Sequence, residues 1–220
     1  MKKQIIFLIG FLILFAGFAQ AQTGDDTQFW NETTVEFPIN KKVSGIVIGN
    51  LRVTDDISDL SDKRIGFAVK FKTKKNVSIQ PSYIFRVQTA GGRANRYEHR
   101  ARLDITPAWE FKNFAIENRS RFEHRFKTNG RDDDTFYRNR TKLKVPVKRN
   151  DKTIITPFIS NDTYFDLQAP NVYRNDSVVG ISRKFSKNAT AEFFYQYRKN
   201  FRSGEDHINI VGVNLKFKID

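Results

Sequence analysis

The sequence predicts an all-β chain, an antiparallel up-and-down transmembrane β-barrel of twelve strands, with ten as the alternative count. Three observations predict it: charged and apolar side chains alternate with the period of two that belongs to strands, short and long connections alternate along the chain, and an export leader opens it. One face of Arg96–Ala108 carries Glu98, Arg100, Arg102 and Asp104, the other Tyr97, Ala101, Leu103 and Ile105. The pattern returns in Phe114–Lys127 and Phe136–Lys148. A soluble sheet shows such charges to water. A membrane barrel turns the apolar face to lipid and the polar face into its lumen.

The leader comes first. Met1-Lys2-Lys3 is a basic n-region, Ile5 to Phe18 an apolar h-region, and Ala19-Gln20-Ala21 a small-x-small cleavage pattern. Cleavage after Ala21 is expected, leaving one domain over residues 22–220 in the bacterial outer membrane; an uncleaved helical anchor is the alternative. The chain has no cysteine, so lipoprotein anchoring, disulfides and thiolate metal sites are excluded. No later apolar run approaches the ~20 residues of a spanning helix. The formal charge of +14 falls to +12 without Lys2 and Lys3. Its basic residues alternate along strands rather than cluster, which argues against a nucleic-acid partner.

Eleven segments then read as strands: Gln28–Phe37, Val43–Val53, Lys63–Lys72, Val77–Gln88, Arg96–Trp109, Phe114–Lys127, Phe136–Lys148, Thr153–Asp166, Asn175–Phe185, Ala189–Lys199 and His207–Ile219. Each alternates, and several exceed the ~9–11 residues that cross a bilayer. Short connections near residues 73–76, 110–113, 149–152 and 186–188 alternate with longer ones at 54–62, 89–95, 128–135, 167–174 and 200–206, the rhythm of outer-membrane barrels. Eleven is odd and bacterial barrels are usually even. Either one strand is missed, giving twelve, or Gln28–Phe37 is misassigned, giving ten.

Charge matching predicts two registers. A tight connection at Glu110–Asn113 sets Glu98 opposite Arg125, Arg100 opposite Glu123, Asp104 opposite Arg119 and His99 opposite His124, with Arg102 against Arg121 as the one mismatch. On the other face it sets Ala101 opposite Phe122 and Trp109 opposite Phe114. A turn through Asn150-Asp151-Lys152 pairs Leu143 with Ile159 and Arg140 with Asp162.

These charges, with Glu117 and Arg138, form the predicted lumen ladder: Glu98, Arg100, Arg102, Asp104, Glu117, Arg119, Arg121, Glu123, Arg125, Arg138, Arg140 and Asp162. Its basic surplus has two readings: a network that fills and cements a narrow barrel, or a lining that passes small anionic solutes. Trp109 and Phe114 beside a short turn, and Tyr97 and Tyr137 toward the long loops, are the interfacial aromatics expected to meet membrane lipid. Tyr164 and Tyr173 are placed with them at the long-loop side.

Gln28-Phe29-Trp30, the run Asn118-Arg119-Ser120-Arg121-Phe122-Glu123-His124-Arg125, the run Tyr137–Leu143, and Thr156-Pro157 together resemble a domain-of-unknown-function family, DUF2490. The resemblance spans nearly all of residues 22–220. It implies a small outer-membrane β-barrel of the kind common in Bacteroidetes-type bacteria; for such a barrel, outer-membrane lipids and the barrel-assembly machinery are the expected partners. It implies no assigned activity. The last strand departs slightly from the usual terminal aromatic, ending at Phe217 and then Lys218-Ile219-Asp220.

Catalytic chemistry finds little purchase. The three histidines are His99, His124 and His207. His99 and His124 share the outer face with Ser120, which lies four residues from His124, roughly 13 Å along a strand and too far for a dyad. The acidic runs Asp55, Asp56, Asp59, Asp62 and Asp132-Asp133-Asp134 are read as solvated loop charge with no calcium-loop spacing. No cofactor, metal or catalytic residue is expected. A lipid-modifying outer-membrane enzyme and a soluble periplasmic ligand-binding barrel are the alternatives.

Overall fold

A computed structural model describes residues 26–74, 76–89, 94–128, 130–202 and 207–219. The expected cleavage site lies outside them. Twelve strands run in chain order: β1 (Asp26–Pro38), β2 (Val43–Thr54), β3 (Asp59–Lys74), β4 (Val77–Gln88), β5 (Arg96–Glu110), β6 (Ala115–Lys127), β7 (Asp134–Lys144), β8 (Val147–Arg149), β9 (Lys152–Asp166), β10 (Asn171–Lys184), β11 (Ala189–Asn200) and β12 (His207–Lys218). Among the described residues eleven of them close a barrel, and the three-residue β8 stands outside it.

The barrel strands match the eleven segments legible in the sequence, and neither twelve nor ten is the number that closes. Antiparallel neighbours join every step from β1 round to β12, omitting β8. β12 then lies parallel to β1, with Asp26 beside Ile208 and Glu36 beside Lys218. An odd count forces one parallel pair, because the first and last strands then run in the same direction. β1 is thus a true strand, starting at the long-loop end and clasped there to the β2–β3 turn. The Thr27 amide donates to Asp56 Oδ1 at 3.1 Å, and the Asp56 amide to Asp26 Oδ1 at 3.0 Å.

The predicted segment Phe136–Lys148 is two strands. Pro146 lacks an amide proton and cannot continue the ladder. The chain resumes as β8 below the rim and turns at Asn150-Asp151, where φ is 49° and 58°. Asn and Asp accept that left-handed backbone most readily after glycine, which makes this a two-residue hairpin turn. That turn is one residue shorter than the predicted Asn150-Asp151-Lys152 turn, and a bulge between the Lys148 and Val147 pairings makes up the difference, so that β7–β9 has Leu143 opposite Ile159 and Arg140 opposite Asp162, as the sequence predicts.

The β5–β6 register is corrected by two residues. Glu98 faces Lys127, Arg100 faces Arg125, Arg102 faces Glu123, Asp104 faces Arg121 and Trp109 faces Ile116. The turn is tighter than predicted: the Phe111 amide donates to the Phe114 carbonyl at 2.8 Å, leaving only Lys112-Asn113 at the tip. The two phenyl rings stack with centroids 4.5 Å apart. The slip preserves which face each side chain takes, because the period is two.

The sidedness inverts that of a water-soluble fold. Ile65 and Phe67 point outward and are 63% and 61% exposed, and Phe122, Ile159, Phe193 and Val211 are also exposed on the outer wall. Inside, acids and arginines are buried. Toward the short-turn end the interior closes over apolar side chains. Ile46, Ile48, Ala68 and Ile84 pack together, and Phe158 and Phe194 lie over Gly180 and Gly212. A Cβ at Gly180 would meet Phe158 at 2.6 Å and the Phe193 carbonyl oxygen at 2.4 Å. Only glycine lets those rings fill the lumen.

Candidate functional site: an arginine-lined lumen

Even-numbered positions of β1–β5 and β7, odd-numbered ones of β6, and even-numbered ones of β9, β11 and β12 face inward. This parity brings charges from separate strands into one belt. Asp62 accepts from Arg64 Nε at 2.8 Å and from Arg86 Nε at 3.0 Å. Arg86 NH1 reaches Glu98 Oε1 at 3.0 Å, and Arg100 Nε reaches Glu98 Oε2 at 3.0 Å. Glu123 takes Arg102 and Arg125, each through Nε at 2.5 Å, with Arg100 at 3.5 Å. Asp104 receives Arg121 at 2.7 Å through two nitrogens. Asp162 receives Arg138 at 2.7 Å, and Asp176 receives Arg198 at 2.8 Å together with Tyr164 and Gln196 at 3.0 Å. Asp162 and Asp176 are 2% and 0% exposed, so each carboxylate is held by guanidinium donors where water does not reach. Breaking such a pair strands a buried charge.

All twelve predicted ladder residues lie on this inner face. Glu117 sits nearer the short-turn end, accepting from Lys144 Nζ at 2.8 Å with Arg140 at 3.7 Å. Arg119 spans Asp104 and Asp162 at 3.9 Å from each. Arg119 and Arg140 stand directly opposite, and the Nε of each is buried with no described acceptor. The sequence reading missed Asp62, Arg64, Arg86, Asp176 and Arg198. Asp62, which the sequence places in an acidic loop, is instead an inward residue of β3. The missed signal was the same alternation in shorter form, Asp62-x-Arg64 and Arg174-x-Asp176.

Within the belt and on toward the long loops, the lumen opens into a cavity of about 270 Å³ bordered by Trp30, Arg52, Arg174 and Arg198 among others. Arg52 lies 3.4 Å over the Trp30 ring, and Arg198 lies 4.5 Å from the same ring. Tyr164 and Tyr173 are corrected from the rim to the interior: both are buried and pack edge to face beside Phe136.

The predicted interfacial aromatics are exposed or half-buried on the outer wall. Tyr97 stacks on Phe85, Trp109 and Phe114 stand at the short-turn end, and Tyr137 contacts Phe122 and Phe165. The outer-face histidines are not opposite each other. His99 faces Phe126 and bonds Tyr83 through Nδ1 at 2.5 Å, while His124 faces Ala101 and bonds Thr135 at 2.8 Å. Ser120 pairs with the Tyr137 hydroxyl at 3.0 Å rather than with a histidine. Among the described residues no group of three or more His, Asp or Glu side chains could hold a metal ion.

A closed barrel with an apolar wall outside and paired charges inside defines the class. The chain belongs to the family described as "Protein of unknown function (DUF2490)", whose model matches residues 27–209. No curated protein matches it. Among the solved structures that match, two illustrate the shared fold. One, titled "NanC porin structure in rhombohedral crystal form", aligns at a TM-score of 0.53 and 11% identity, covering 88% of this chain and 99% of its own. The other, LpxR from Salmonella typhimurium, aligns at 0.55 and 8% identity, covering 84% and 87%.

Proposed function

We propose that this protein spans the bacterial outer membrane and admits small anionic solutes to its basic lumen, with no catalytic step of its own. The inverted sidedness carries this reading. Isoleucine and phenylalanine side chains left more than half exposed, on a wall backed by buried arginines, are favourable in lipid and unfavourable in water. The barrel strands of 11 to 16 residues are long enough for a tilted crossing. Aromatics gather near both ends, with Trp109, Phe111, Phe114 and Phe185 at the short turns and Tyr97 and Phe126 at the long loops. That matches the two girdles of a membrane barrel. Insertion would then need the barrel-assembly machinery, and membrane lipids would cover the outer wall.

The test has two parts. Detergent-extracted protein should migrate faster on gels before heating than after it, and planar bilayers should show small, anion-selective currents. Low conductance follows from the filled short-turn half. Recovery in the soluble periplasmic fraction without a heat shift would remove the membrane reading. Electrical silence in bilayers that hold the folded protein would remove the passage.

A further inference from the structure

Ten arginines line the cavity. Eight are held by carboxylates of the belt. Arg52 and Arg174 are positioned differently. Among the described residues neither has a carboxylate within 4 Å. Arg52 is held by the face of Trp30. Arg174 lies 5.3 Å from the Tyr164 ring and 5.5 Å from that of Tyr173, and its Nε donates to Asn200 Oδ1 at 3.0 Å. Aromatic faces and a neutral amide fix a guanidinium without neutralising it.

The remaining donors are also open. No described acceptor takes a proton from Arg52, or from the terminal nitrogens of Arg174, yet none of these atoms is among the sealed, unpartnered ones. They therefore border the cavity itself. Glu32 lines the same space, accepting from Asn50 Nδ2 at 3.0 Å, and among the described residues no cation lies within 4 Å of it. Two guanidinium groups with open terminal donors and one carboxylate with no described cation within 4 Å thus border one cavity of about 270 Å³.

We propose that Arg52 and Arg174 are the binding side chains for a small hydroxylated organic anion, its carboxylate or phosphate group taken by the guanidinium forks and its hydroxyl donating to Glu32. This deepens the functional reading above and rests on it for the ligand's route, though not for the binding.

Titration calorimetry on the detergent-solubilised full chain tests it, with citrate as the probe, tricarballylate as the same triacid without the hydroxyl, and glucose as the neutral control. Citrate should bind tightest, tricarballylate more weakly and glucose not at all. Arg52→Gln and Arg174→Gln should each weaken citrate about tenfold or more, as loss of a charge-assisted hydrogen bond does. The outward Lys63→Gln should leave affinity unchanged. Neither arginine neutralises a carboxylate, so both Gln variants should unfold at the parent's denaturant midpoint or above it. A purely structural role would lower that midpoint. If either Gln variant fails to fold, the Arg→Lys variant keeps the charge, loses the fork and should bind severalfold more weakly.

Parent-like citrate affinity in both arginine variants, or glucose binding equal to citrate, overturns the site. Equal binding of tricarballylate and citrate overturns the hydroxyl contact. Calorimetry in detergent does not depend on current. Binding without conductance keeps this site and removes passage, whereas conductance indifferent to both arginine variants, with no binding, does the reverse.

Discussion

Glu123 shows how much one side chain carries. It receives Arg102, Arg125 and Arg100 from two strands. Glu123→Gln would leave three guanidinium groups facing each other on largely buried side chains, and we expect a loss of about 3–5 kcal/mol of stability. Urea titration of the heat-shifted gel band would read it, and a loss below 1 kcal/mol would contradict a stabilising role for the belt. The outer wall makes a complementary test. Phe193 is outward and exposed. Phe193→Arg should be nearly neutral for a wall in water, but should cost about 2–4 kcal/mol at the depth of a bilayer core. Folding yield into lipid vesicles against yield in detergent would separate the two. Arg52 and Arg174 were not legible from the sequence, since Arg52 reads there as one more basic residue in an alternating strand and Arg174 as the last residue of a long connection. Their distinction is that no described carboxylate lies within 4 Å of them, a property that exists only once β1, β2, β10 and β11 are assembled.

The strand assignment was legible because an inward residue and its outward neighbour differ so sharply in chemistry that the period of two survives along whole strands. Register was legible at β7–β9 and not at β5–β6. At β7–β9 the Asn150-Asp151 turn is one residue shorter than the sequence suggests, and the bulge between the Lys148 and Val147 pairings restores Arg140 opposite Asp162. At β5–β6 the inner charges repeat every two residues, so a slip of two finds new partners: Arg102 meets Glu123, and Asp104 meets Arg121. Pairwise matching is nearly degenerate under such a slip, and the tight Lys112-Asn113 tip decides it. Paired cysteines at Leu103 and Phe122 should therefore cross-link readily on the outer face of this cysteine-free chain, while a pair at Ala101 and Phe122 should not. Efficient bonding of the second pair would return the register to the charge-matched one. The short strand β8 was illegible as a separate element because its residues continue the alternation of β7 across Pro146. Only the lost amide marks the break.

At the scale of the whole molecule the count of eleven follows from closure, which no single segment reveals. The parallel β1–β12 pair predicts that cysteines at Phe29 and Val211, neighbours in that register, form an intramolecular disulfide detectable by mass spectrometry after proteolysis. Its absence under conditions where Leu103 and Phe122 couple would argue for an unseen twelfth strand. The same seam sets the order of assembly. Ten of the eleven contacts round the barrel join strands that follow each other along the chain or skip only β8, so they can zip as hairpins. The eleventh joins residue 26 to residue 208 and must wait until nearly the whole sheet has curled, a long-range closure that is slow by its loop entropy. Until it forms, β1 and β12 are bare edges carrying unpaired amides and carbonyls. A chain truncated before Val43 would lose β1 and leave β2 and β12 as permanent edges, and its predicted fate is edge-to-edge aggregation rather than a smaller barrel.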